Sequence, residues 1–71
     1  MSAPVTNLLR AHWAEVAIRA FQQEAGCNLE DSLGDLLANL MHWAEARGFS
    51  FDLAFQRAAE HFTIEHAEAG A

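Results

Sequence analysis

The chain has no lysine, a single cysteine and no long apolar run, and each shortage closes off a class of function. Its four basic residues are all arginine (Arg10, Arg19, Arg47 and Arg57), set against ten acidic residues, for a formal charge of −6. Binding to nucleic acid needs cationic groups that displace counterions from phosphate, so this balance argues against direct contact with DNA or RNA. Cys27 is alone, which excludes an intrachain disulfide and a zinc site built from thiolates. The longest apolar runs fall far short of the ~18 residues that read as a membrane span, and no secretory leader is recognisable. The expectation is a cytoplasmic protein with no membrane partner. A Gly-rich phosphate loop, a nucleophile elbow and a Ser/His/Asp order are also missing. There is no internal repeat, linker or low-complexity segment.

What remains is 71 residues, about half of them apolar, read as one small helical domain over 1–71. A domain this short buries only ~60% of its unfolded surface. Its core alone rarely supplies more than ~3–5 kcal/mol. Pairing with another chain is the natural way to enlarge it.

The periodicity and the end signals predict an all-α, compact three-helix unit, with helices at about 4–25, 29–47 and 51–68. Pro4 suits a first helical turn, with Ser2 as a cap before it. Leu9, Trp13, Val16, Ala17, Ala20 and Phe21 then form a stripe, and Gly26 supplies a left-handed stop. Asn28 caps the second helix, and Glu30 and Asp31 meet its positive end. Its expected buried face is Leu33, Leu36, Leu37, Leu40, Trp43 and Ala44, with Gly34 beside it admitting a neighbouring helix. Arg47 and Gly48 end that helix, and Ser50 caps the third. Phe51, Phe55, Ala58 and Phe62 are its expected inner face, and Ala69-Gly70-Ala71 a loose tail. Leu53 and Ile64 fall on the far side of helix 3, while Leu8 and Ile18 leave the stripe of helix 1. Four such residues in so short a chain point to a second contact surface and to a homodimer.

Asp31, Asp35 and His42 project opposite the leucines of helix 2, flanked by Asn39 and Glu45. The plain reading is a solvated polar face. The sharper one gives Asp31 and Asp35, four residues apart, a shared divalent cation through oxygen ligands. His42 lies roughly 10 Å beyond Asp35 along the axis, too far for the same coordination shell. The other histidines do not pair either: His61 and His66 diverge at a spacing of five, and His12 sits on another helix. Cys27, near a helix start but with no basic neighbour in sequence, reads as a small loop or core residue.

The stretch Leu33-Gly34-Asp35-Leu36-Leu37, then Leu40, Gly48, Ser50, Ala54, Ala58 and Phe62, resembles the last two helices of MazG-like nucleoside-triphosphate pyrophosphohydrolases. That resemblance covers a little over half the chain. It implies an all-α oligomer that binds magnesium through acidic residues of paired helices, with Asp35 as the aspartate of the family's E-x-x-D motif. Ser32 stands where the motif's glutamate would be. The E-E-x-x-E motif of the preceding helix has no counterpart, because Val16, Ala17 and Ile18 follow Glu15 and Glu24 is isolated. Magnesium needs carboxylates from more than one element, so the pattern is that of a truncated or non-catalytic relative. The segment Asp35-Leu36-Leu37 with Leu40-Met41-His42-Trp43 also looks like that of small proteins carried by phages and plasmids, which implies a mobile-element setting.

Two functions follow as expectations. The first is a non-enzymatic protein-interaction module that needs no cofactor. It presents Glu30, Asp31, Asp35, Glu45, Glu60 and Glu65 to a basic partner surface and anchors through Leu53 and Ile64. One form of it inhibits a host nucleic-acid-binding defence complex in the manner of an anti-CRISPR protein. The second is a magnesium-dependent MazG-like pyrophosphohydrolase with Asp35 as one ligand and the remainder supplied across a dimer interface.

Overall fold

The computed structural model describes residues 5–69. They fold as α1 (Asn7–Ala25), α2 (Leu29–Arg47) and α3 (Phe51–Ala69). This is the all-α three-helix unit that the periodicity predicts, and no strand occurs among the described residues. Each helix has 19 residues, hence a length of roughly 28 Å at ~1.5 Å per residue.

The ends of α2 form where local chemistry places them. The Asn28 side chain accepts from the Asp31 backbone N–H at 2.9 Å, satisfying a donor that the helix itself leaves unpaired. At the other end Gly48 takes φ 77°, a left-handed conformation that costs a side-chain-bearing residue ~1–2 kcal/mol. From there the Phe49 N–H donates to the Ala44 carbonyl at 2.9 Å, and the Gly48 N–H to the Glu45 carbonyl at 3.2 Å. These two reversed bonds close a Schellman turn. The apolar contact that usually completes it is Phe49 stacked on Trp43, with ring centroids 5.5 Å apart. Ser50 then caps α3, its hydroxyl accepting from the Leu53 N–H at 3.2 Å.

The first and last boundaries differ from expectation. Thr6, not a residue near Ser2, caps α1 by accepting from the Leu9 N–H at 3.1 Å, so the helix starts at Asn7. Ser2 and Pro4 lie outside the described residues. Ala69, expected in a loose tail, is the last residue of α3; Gly70 and Ala71 lie outside the described residues.

The largest correction concerns the core. The stripes exist, but the chain does not cover them. Of the face expected to be buried on α2, only Ala44 is buried and Leu36 half-buried, while Leu33 stays 61% exposed. Phe55 and Phe62 of α3 are exposed as well. The cause is how the helices meet. Close approaches gather near helix ends: Asn7 and Arg10 of α1 bond Glu65 of α3, and the two three-residue turns join the remaining ends. Midway along the helices Ile18 and Leu36 are half-buried, and most of the remaining apolar faces stay open.

On α1 the orientation is reversed. Its half-buried residues are Asn7, Arg10, Ile18, Phe21 and Gln22, which share one face at ~100° per residue. Leu9, Trp13 and Val16, the expected inner stripe, lie about half a turn away and are exposed. Ile18, expected off the stripe, is on the covered side. Phe21 is the one large residue of the expected stripe that α1 turns inward.

Candidate interaction surface

Two kinds of surface stand out, one acidic and one apolar. On α2, Glu30 and Asp31 occupy the first turn, with Asp35 one turn further and Glu45 near the other end. All four are exposed. Asp31, Asp35 and Glu45 lie away from the leucines, while Glu30, three residues before Leu33, lies beside them. The first-turn carboxylates also face the positive end of the helix dipole, an arrangement that stabilises the helix. Glu60 is exposed on α3. Glu65 is not available in the same way. Its carboxylate pairs with the Arg10 guanidinium at 3.0 Å, and its carbonyl accepts from the Asn7 amide at 3.1 Å. It joins α3 to α1 instead of facing a partner.

Leu53 and Ile64 are exposed, as the second-surface reading requires. Leu53, however, is not remote from α2. With Leu40, Trp43, Phe49, Phe51 and Arg57 it lines an open groove of about 480 Å³ between the end of α2 and the start of α3. The walls are aromatic and aliphatic. One cationic residue lies at the edge and no carboxylate faces the groove. Arg47 adds a cation 5.7 Å from the Trp43 ring centroid, within the range of cation–π attraction. Ile64 sits apart, beside Ala59, Glu60 and Thr63 in a shallower depression.

The metal reading finds little to build on within one chain. Among the described residues no three His, Cys, Asp or Glu side chains converge where they could hold an ion. Asp31 and Asp35 stay on the outer face, and no carboxylate of another helix joins them. The position corresponding to the glutamate of E-x-x-D is occupied by Ser32, which is 0% exposed. Its hydroxyl donates to the Asn28 carbonyl at 2.6 Å and lies 3.4 Å from the Cys27 sulfur. A ligand at that position would be enclosed in the α1–α2 corner, away from the solvent face that carries Asp35. The donor set among the described residues does not fit magnesium unless other carboxylates join it from a second chain.

Sequence reasoning missed both Ser32 and the Arg10–Glu65 pair. A serine four residues after the helix cap, beside the lone cysteine, gave a weak signal for the first. Nothing in the sequence pointed to the second, since its partners lie at opposite ends of the chain. Among the described residues no helix is long and apolar enough to cross a membrane. Comparison with protein-family models, with curated proteins and with solved structures gives no match.

Proposed function

We propose that the chain is a small acidic interaction module, without catalysis of its own, that docks on a protein partner with a basic surface. In its most specific form it is encoded by a phage or plasmid. There it blocks a host defence nuclease or CRISPR-type complex by occupying a groove that otherwise holds nucleic acid. A homodimer in the cytoplasm belongs to the same proposal.

The observation that carries it is the pairing of outward carboxylates with an open apolar groove. Asp31 and Asp35 supply negative charge on one side of α2, and Glu30 adds to it in the first turn. Leu40, Trp43 and Leu53 offer an apolar seat between α2 and α3. Charge complementarity raises the encounter rate and sets orientation. A desolvated apolar anchor then supplies most of the affinity. The enzymatic alternative has less support, because Ser32, at the place of the motif's glutamate, is enclosed and the carboxylates do not converge among the described residues, so a dimer would have to supply the rest.

Binding assays with purified host defence complexes, run at ~0.1 M salt where the screening length is ~10 Å, test the proposal. The chain is expected to displace nucleic acid from the complex, less effectively as salt rises. Failure to bind any basic partner under these conditions would eliminate the nucleic-acid-mimic form. Pyrophosphate release from nucleoside triphosphates with magnesium, abolished by Asp35→Ala, would replace the module with the enzyme.

A further inference from the structure

The exposed surface is too large for a chain that closes its own core. It amounts to 6187 Å², where a folded monomer of 7.8 kDa exposes about 4,400 Å². The Cα radius of gyration, 14.3 Å, likewise exceeds the ~11 Å typical of a single domain of this length. Among the described residues sixteen large hydrophobic side chains are exposed. Singly such residues are ordinary; a contiguous set marks an interface.

We infer that a second copy of this chain covers the open faces, with the α1 ridge Leu9, Trp13 and Val16 of each copy seated on the Leu33, Leu37 and Leu40 face of α2 in the other. The area supports that occupant. An excess of about 1,800 Å² per chain sets the upper limit of what pairing removes, roughly 3,600 Å² over both copies, and half of that already reaches the ~1,200–2,000 Å² of a specific interface. The spacings match as well. Leu9, Trp13 and Val16 are spaced four and three apart, a straight ridge on the outward side of α1. Leu33, Leu37 and Leu40 repeat that spacing on α2. A two-fold axis makes the contact reciprocal, so one pairing covers both faces on both copies. Most of the charge of α2 stays clear of it, because Asp31, Asp35 and Glu45 lie on the side away from the leucines; Glu30, one turn before Leu33, stands at the rim of the meeting surface. This pairing assigns the faces of the homodimer included in the proposed function and rests on that part of it, not on the basic partner.

Sedimentation equilibrium of the full chain tests it, together with thermal melts across a hundredfold range of concentration. The dimer mass is expected, with a Tm that rises with concentration as linkage requires. Trp13→Glu is expected to weaken association at least ~100-fold, the scale of losing an interface hot spot. Should that variant fail to fold, Trp43→Phe leaves Trp13 as the only indole. Its emission is then expected to shift to the red on dilution. Ile64→Glu, on the side of α3 turned from Phe55 and Phe62, is expected to keep the dimer mass. A folded monomer with a concentration-independent Tm would overturn the inference. So would a chain that stays unfolded until a different protein is added, or a Trp13→Glu variant that pairs as tightly as the original. Dissociation by Ile64→Glu would move the interface off the α1 ridge and overturn the assignment.

Discussion

The Arg10 guanidinium and the Glu65 carboxylate meet at 3.0 Å, joining the first turn of α1 to the last turns of α3. The Asn7 amide reinforces the same corner by donating to the Glu65 carbonyl, 58 positions away. Both ion-pair side chains are about one-third exposed, so solvent screens much of their attraction. Glu65→Gln is expected to cost about 0.5–1 kcal/mol at low salt. A double-mutant cycle with Arg10→Ala should return a coupling that shrinks toward zero near 1 M salt, where the screening length is ~3 Å. A cycle with no coupling even at low salt would leave Asn7 as the tie between the two helices.

Ser32 gives the second prediction and bears directly on the enzymatic alternative. Its hydroxyl is enclosed and satisfied by the Asn28 carbonyl at 2.6 Å. Ser32→Ala removes that bond and is expected to cost about 0.5–1.5 kcal/mol. Ser32→Glu rebuilds the E-x-x-D spacing with Asp35 but forces a longer, charged side chain into a filled corner. It is expected to destabilise by more than about 2 kcal/mol, since a buried carboxylate without a partner is costly. Chemical denaturation followed by circular dichroism measures both. A Ser32→Glu protein as stable as the original, and binding manganese, would reopen the metal reading.

The contrast between α2 and α1 explains what could be read from the sequence. The bounds of α2, and the start of α3 at Ser50, depend on residues within a few positions of each other. Asn28 needs only the Asp31 N–H, and Gly48 needs only the carbonyls of the last turn. Such chemistry is written locally. Periodicity likewise identified Leu9, Trp13 and Val16 as sharing one face. It cannot say which way that face looks, because direction depends on where the other helices lie. In this chain the end-to-end meeting of the helices, with Asn7 and Arg10 bound to Glu65, turns that face outward. The acidic candidates on α2 were legible as a group for the same local reason. The engagement of Glu65 was not, since it needs the two ends of the chain brought together.

The turn after α2 supplies a third prediction. Gly48 is held at φ 77°, and Phe49 stacks on Trp43 at 5.5 Å. Gly48→Ala is expected to cost about 1–2 kcal/mol through backbone strain alone. Phe49→Ala keeps the backbone but removes the stack, so it should shift Trp43 emission to the red, most clearly in a Trp13→Phe background. Equal emission in both proteins would mean that the stack does not persist in solution.

Gly34 separates the single chain from its assembly. It sits within α2, and nothing lies within 4 Å of the position that a Cβ would take. The expectation that a neighbouring helix of the same chain approaches there is therefore not met. In an otherwise open helix Gly34→Ala should stabilise by about 0.5–1 kcal/mol, because alanine loses less backbone freedom on folding. Denaturation midpoints at fixed protein concentration measure the change. A loss of stability would instead place another molecule's backbone against Gly34.

The acidic face of α2 is tested through kinetics, since charge and apolar anchoring act on different rates. Long-range attraction governs how often partners meet in a productive orientation, while the packed contact governs how long they stay. Asp31 and Asp35 are exposed and bond nothing through their side chains among the described residues. Converting both to asparagine therefore removes field with little change of shape. Asp31→Asn also gives up a favourable charge at the start of α2, for which about 0.3–1 kcal/mol of stability is the expected loss. With a basic partner immobilised, the double variant should associate more slowly at ~0.1 M salt and depend less on salt, with dissociation nearly unchanged. Leu53→Ala, in the groove beside Trp43 and Leu40, should do the reverse, raising dissociation and sparing association. If the asparagine variant altered neither rate, the carboxylates of α2 would serve solubility alone, and recognition would rest on the apolar groove.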